Sequence, residues 1–161
     1  MKRAHQWSIT VTIDASRERV WSAGEDLTLI PRYHPEVARV ELLSGQSTRG
    51  VGVEYKCIIE TGRRGWCVER VVEHVPLEKM TVDFPSDSWG ISDLLDGFRT
   101  ELLLEAGDGG TCRVTICAFY EPKPLWLRLM NPVGLRWLMR RRALQVLRGL
   151  KRLVEAGGAA A

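Results

Sequence analysis

The feature that most constrains this chain is a succession of period-two segments, each apolar on alternate residues, closed by one long amphipathic helix. Trp7, Ile9, Val11 and Ile13 alternate with Ser8, Thr10 and Thr12, the pattern of a strand with one buried face. Residues 37–43 predict a second strand. In 51–61, Val53, Tyr55, Cys57 and Ile59 share one face while Glu54, Lys56 and Glu60 take the other. Residues 66–75 and 79–84 continue the series, the latter with Met80, Val82 and Phe84 aligned. Phe98, Thr100, Leu102 and Leu104 mark a sixth strand, and 111–121 a seventh. The breaks between most of them are short: Ser44-Gly45, Thr61 to Gly65, Pro76-Leu77-Glu78 and Gly107 to Gly110. Connections of hairpin length predict antiparallel pairing, because parallel neighbours need a crossover of about a dozen residues or more.

Helical signals occupy two places. After the first strand, Ser16 offers an N-cap to a short helix through Val20, Trp21 and Ala23, which Gly24 stops. Asp26 caps a second through Leu27, Leu29 and Ile30, bounded by Pro31 and Pro35. Residues 85–96 read as a loop that is unusually apolar at Trp89, Leu94 and Leu95. Pro122 and Pro124 end the sheet, 125–130 forms a short helix interrupted before Pro132, and 133–155 predicts a long one. On it Leu135, Met139, Val146, Leu150 and Leu153 form a stripe, with Ala143 and Leu147 beside it. The expected fold is α+β: a curved, seven-stranded antiparallel sheet wrapped around the long C-terminal helix, with two short helices after strand one. A bent sheet cannot touch one straight helix along its whole length, so space is expected near the N-terminal half of the helix.

The chain has 161 residues, which suits one domain over 1–156 with an unstructured tail at 157–161. Apolar residues make up 45% and charged residues 27%, a globular composition that excludes disorder and low complexity as whole-chain readings. The net charge of +3 is unevenly spread: 123–156 carries +8 and the remainder −5. The four cysteines (Cys57, Cys67, Cys112 and Cys117) form no CxxC pair and no cluster with zinc spacing. They lie in strand-like runs, which fits small buried hydrophobes in a reducing cytoplasm. No cofactor or metal is expected. There is no apolar run behind the basic start to make a signal peptide, and none approaches the length of a membrane span.

The order of elements, with particular residues at their ends, resembles the helix-grip fold of the START/SRPBCC superfamily, and within it the polyketide cyclase/dehydrase-like group. The resemblance rests on Ser8-Ile9-Thr10-Val11 leading into Ala15 to Trp21, on Tyr33-His34-Pro35-Glu36-Val37, and on Gly50 to Tyr55. It continues through Val68 to Pro76 and Leu147 to Glu155, and covers about 7–156. It implies a cavity for lipids, sterols, polyketides or other apolar ligands. It brings no shared catalytic motif, and a fold by itself assigns no reaction.

Alternation turns a candidate lining inward: Val53, Tyr55 and Ile59 from strand three, Trp66 and Val68 from four, Phe84 from five, Phe98 and Leu102 from six, Ile116 from seven and Met139 from the helix. The same residues would equally fill a collapsed core. Arg70 shares the inward parity of Trp66 and Val68, and a guanidinium facing that interior needs a partner, either an anionic ligand group or an acidic side chain. Tyr55 can donate or accept a hydrogen bond there. His34, beside the expected cavity mouth, can exchange a proton near neutral pH. His74, at the end of strand four, is expected in solvent. Glu54, Glu69 and Glu101 alternate outward. All of these inward and outward assignments hang on register, since a slip of one residue exchanges the two faces.

Two uses of such a cavity follow. One is binding of a hydrophobic small molecule, with Arg70 and Tyr55 orienting its polar end and 26–33 and 85–96 (through Trp89 and Leu94) as lids. The other is a cyclase or dehydratase for a polyketide-like substrate, with Arg70 stabilising an enolate and Tyr55 or His34 moving a proton. A third class rests on the helix itself. Arg136, Arg140, Arg141, Arg148, Lys151 and Arg152 cluster on one arc with Trp137 and Leu144, a face for an anionic membrane or a protein partner. Nucleic acid is not expected as a partner. No GxSxG elbow or phosphate-binding glycine loop is present.

Overall fold

The computed structural model describes residues 4–158. Seven strands, β1 (His5–Ile13), β2 (Val37–Leu42), β3 (Glu54–Ile59), β4 (Gly65–Val75), β5 (Lys79–Asp87), β6 (Leu95–Ala106) and β7 (Cys112–Pro122), form one sheet in the order β1-β7-β6-β5-β4-β3-β2. Every neighbouring pair is antiparallel. The helices are α1 (Arg17–Glu25), α2 (Ile30–Tyr33), α3 (Ile91–Leu94), α4 (Leu125–Met130) and α5 (Arg136–Gly158). Both expected caps form: Ser16 Oγ accepts from Arg19 N at 3.4 Å, and Asp26 Oδ1 accepts from Thr28 N at 2.9 Å. A π turn over Asn131–Leu135 joins α4 to α5 without a break, so Pro132 is absorbed rather than ending the helix. The helix also runs through Gly157 to Gly158, past its expected stop, and the rest of the expected tail, 159–161, lies outside the described residues.

The inner face of the sheet packs on α5. At the C-terminal half of the helix the fit is close, and Ile13, Cys112, Val114, Leu147, Leu150 and Val154 are buried in a common core with Val20 and Trp21 of α1. Burying a side chain of this size contributes about 1.5–3 kcal/mol, so this end anchors the fold. Toward the N-terminal half, Trp7, Leu95, Ala118, Tyr120 and Leu127 form a second buried cluster. Where α2 crosses α5 the backbones touch: a Cβ at Gly149 would sit 2.8 Å from the Tyr33 carbonyl carbon, so only glycine fits there.

Two irregularities in β4 and β5 change the sequence expectations. Pairing passes from Val68↔Ser86 to Arg70↔Asp83, leaving Phe84 and Pro85 opposite Glu69 alone. A bulge tolerates a residue without an N–H, which is why β5 continues through Pro85 to Asp87. The expected loop at 85–96 therefore shrinks to 88–94 and contains α3. The second irregularity lies between Val71↔Val82 and Glu73↔Thr81, where β4 carries the extra residue.

Candidate ligand-binding site

Strand β4 is displaced by one residue from its expected facing. Val71 is fully buried and Cys67 packs on the core, whereas Val72 is 41% exposed. Trp66 lies under Lys56, whose Nζ stands 4.7 Å from the ring centroid, and Val68 pairs with Lys56 across the ladder. Both therefore belong to the outer face. Arg70 follows them: its side chain is 43% exposed, donates to Asp83 at 2.8 Å and stands 3.7 Å from Glu54. Trp66, Val68 and Arg70 are thus removed from the expected lining. Apolar residues occupy both parities of this strand, so alternation alone does not choose the face.

Glu69 takes the inward place instead. Its Oε2 accepts from Tyr55 Oη at 2.6 Å, and its Oε1 is 3.5 Å from Cys57 Sγ and 4.0 Å from Cys67 Sγ. Arg49, from the β2–β3 connection, reaches the same carboxylate at 3.9 Å and lies 5.2 Å over the Tyr55 ring. It also donates to the Gly24 carbonyl at 2.9 Å, while its buried Nε has no acceptor among the described residues. Such an orphan donor is unusual in a folded interior. Sequence patterning missed this pair: Arg49 follows Ser47-Thr48 in a connection without periodicity, and Glu69 was assigned outward. No local signal reveals either.

Electrostatics in this pocket follow from burial. Burial raises the pKa of the Tyr55 and Tyr33 hydroxyls, so both stay neutral donors. The Cys57 thiol is pushed up by its contact with Cys67 and by burial. Burial opposes the charge on Arg49, but the surrounding Tyr55, Tyr33 and Glu69 outweigh it and keep the guanidinium charged. His34 closes α2 nearby. Burial lowers its pKa, and its Nδ1 accepts from Glu36 N at 3.2 Å, leaving a neutral ring. Among the described residues, Cys57, Cys67 and Glu69 offer ligand atoms within 4.8 Å of one another, a set whose thiols suit a soft metal, although Arg49 beside it repels a cation.

The remaining expected residues face inward. Val53 and Tyr55 are buried, and Ile59, Phe84, Leu102 and Ile116 pack against the same core. Phe98 and Met139 pack against the second cluster. Phe84 and Phe98 stack at 4.4 Å, and Phe98 meets Tyr120 edge-on at 5.9 Å. Phe84, Phe98, Leu102, Ile116, Met139 and Ala143 all retain partial solvent access although they face the sheet–helix interior. In the expected lid at 85–96, Trp89 Nε1 donates to the Arg64 carbonyl at 3.2 Å and Leu94 packs on the second cluster; in that at 26–33, Leu27, Ile30 and Tyr33 are buried in the first. His74 is not solvated. It hydrogen-bonds Glu25 at 3.0 Å and lies edge-on to Trp21, tying α1 to the sheet. A groove of about 700 Å³ opens between edge strand β1 and the start of α5, walled by Trp7, Ile9, Arg136, Trp137, Arg140 and Leu144 among others.

Residues 4–155 match the family described as polyketide cyclase / dehydrase and lipid transport. No curated protein matches the sequence. Among solved structures, norcoclaurine synthase from Thalictrum flavum is 13% identical with a TM-score of 0.75, over 98% of this chain and 99% of that one. A START superfamily protein from Mycobacterium smegmatis is 16% identical with a TM-score of 0.72, over 95% and 99%. The Zhui aromatase/cyclase from Streptomyces sp. R1128 is 14% identical with a TM-score of 0.73, over 94% and 93%. At these identities the likeness establishes the helix-grip fold and nothing finer. Among the described residues, no helix is long and apolar enough to cross a membrane.

Proposed function

Because this chain belongs to the polyketide cyclase/dehydrase and lipid transport family, we propose that it binds an apolar small molecule between the sheet and α5. The observation that carries the reading is the belt of inward apolar side chains (Phe84, Phe98, Leu102, Ile116 and Met139) that pack on the two buried clusters yet are only partly buried themselves. Covering such surface supplies affinity at about 25 cal/mol per Å². Arg49, with its orphan Nε, orients one polar end beside the Tyr55 hydroxyl, whose proton is given to Glu69, so the ligand carries an oxygen acceptor such as a carbonyl, phenol or carboxyl group. Arg49 takes the role that alternation gave to Arg70. The four free thiols support residence in a reducing compartment such as the cytoplasm.

Native mass spectrometry of the freshly purified chain, followed by denaturing extraction, tests this. A co-purified apolar molecule bearing one oxygen function is expected, and Arg49→Met loses it while Arg70→Ala retains it. Retention by Arg49→Met with loss by Arg70→Ala would overturn the assignment. The same cluster supports a second reading as a cyclase or dehydratase, in which Arg49 stabilises an enolate and Tyr55 or His34 moves a proton. Turnover of a polyketide-like substrate separates the two.

A further inference from the structure

We propose that the outer face of α4 and the start of α5 docks on an anionic lipid bilayer. Leu125, Trp126, Leu129, Met130, Val133 and Trp137 are each between 54% and 79% exposed. They recur at steps of three and four residues through α4, the π turn and the first turn of α5, which places them on one helical face. The opposite side of the same stretch is fixed to the body. Leu127 and Asn131 are buried, and Asn131 accepts from Tyr120 Oη at 2.8 Å and donates to Gln6 Oε1 at 3.0 Å. The apolar face is therefore held outward. Single exposed apolar residues are ordinary, but six contiguous on one face mark a contact surface.

The surrounding charge selects the occupant. Lys123, Arg128, Arg136, Arg140 and Arg141 lie along the same stretch, Arg128 donating to the Pro122 carbonyl and Arg136 to Gln6 Oε1, and 123–141 contains no Asp or Glu. Among the described residues, none of these five cations has a carboxylate within 4.0 Å. Arg142, the next residue along, is instead paired with Glu36. Arg141 lies 5.4 Å over the Trp137 ring, joining a cation to an amphipathic aromatic of the kind that settles at headgroup depth. A rim of one sign around an apolar stripe complements a sheet of anionic headgroups over acyl chains. Trp137, Arg140 and Arg141 also wall the groove beside β1, so a docked bilayer meets that opening directly.

Flotation of the full chain with phosphatidylcholine vesicles, with and without phosphatidylserine, at low and high salt, tests the proposal. Capture by the phosphatidylserine vesicles alone, reversed by salt, is expected. Each cation near the surface contributes about fivefold to partitioning, so Arg140→Gln with Arg141→Gln lowers it by about 25-fold. Val133→Asp abolishes capture, and circular dichroism identical to the parent shows that this exposed change leaves the fold intact. Failure of the parent chain to float with phosphatidylserine, or equal capture of the parent and Val133→Asp, overturns it. So does a dimer that Val133→Asp dissolves without any vesicle capture, which assigns the face to a second copy. The surface stands whatever fills the interior: a ligand-free protein that floats and a ligand-bearing protein that does not separate the two readings.

Discussion

Gly149→Ala tests how the α2–α5 crossing holds the polar end of the site. An added Cβ would press on the Tyr33 carbonyl oxygen and lie 2.8 Å from its carbonyl carbon and 3.2 Å from its Cα. All three atoms are backbone, so no rotamer change relieves the contact, and the two helices must part. Helix propensity alone would make the substitution stabilising by about 1 kcal/mol. Overpacking against fixed structure costs about 1–3 kcal/mol, and a backbone-to-backbone contact belongs at the upper end. The net loss is then about 2 kcal/mol, which in a chain of this size lowers Tm by about 4–8 °C. Gly157→Ala is the control, because the nearest atom to its added Cβ is Arg19 Nη2 at an ordinary 3.6 Å. Calorimetry of the two variants should show opposite signs or a flat control. Tyr33 and His34 sit at the crossing, so Gly149→Ala should also weaken ligand retention. A Gly149→Ala protein as stable as its parent would refute the reasoning, since propensity would then have decided the outcome.

Arg49→Met strands the Glu69 carboxyl in the interior. Urea unfolding should register a loss of about 3 kcal/mol, the low end for breaking a buried pair, given its 3.9 Å length; a loss under about 1 kcal/mol would mean that Arg49 is not needed there. Arg70→Ala removes a half-exposed ion pair, so the same assay should change by less than about 1 kcal/mol. His34 titrates below its ordinary 6.5 because it is buried. The unfolded chain therefore binds the proton first, and stability present above pH 6.5 falls as pH drops toward the lower folded value. Tm measured against pH should show that slope flattened in His34→Asn, and parallel curves would remove His34 from the account. Burial alone would raise the Asp87 pKa, but the N–H groups of Ser92, Ile91 and Trp89, at 2.7–3.0 Å, hold it below its ordinary value. Asp87→Asn should speed amide exchange across 88–94 and lessen the loss of stability in acid.

The architecture was legible because it follows from local signals. Period-two runs, hairpin turns, the Ser16 and Asp26 caps and the α5 stripe each depend on neighbours in the chain. Pro132 was read as an interruption because a proline lacks an N–H, but a π turn accommodates it. The site was only half legible. Strands β3, β5, β6 and β7 have one clearly apolar face, and Tyr55, Phe84, Phe98, Leu102 and Ile116 were turned the right way. Strand β4 offers apolar residues on both sides, Trp66, Val68 and Val72 against Cys67 and Val71. What decides its facing is the attachment of Glu69 to Tyr55 and Arg49 across chain separations that no periodicity encodes. Arg49 itself lies in a connection, where side-chain direction follows from tertiary contacts alone.

The extra residue in β4 lets a single strand break its own parity. Glu69 and His74 are an odd and an even position, and an unbroken pleat would send them to opposite sides; here both turn to the inner face of the sheet, Glu69 to Tyr55 and His74 to Glu25 of α1. The irregularity works as a phase shifter. Sliding it one pair along the ladder would exchange which side chains the interior receives without altering any of them. In a fold whose wall is mostly apolar, relocating one misfit residue is thus a route to new polar chemistry alongside substitution, and related chains of equal length can differ inside by where their strands skip a beat.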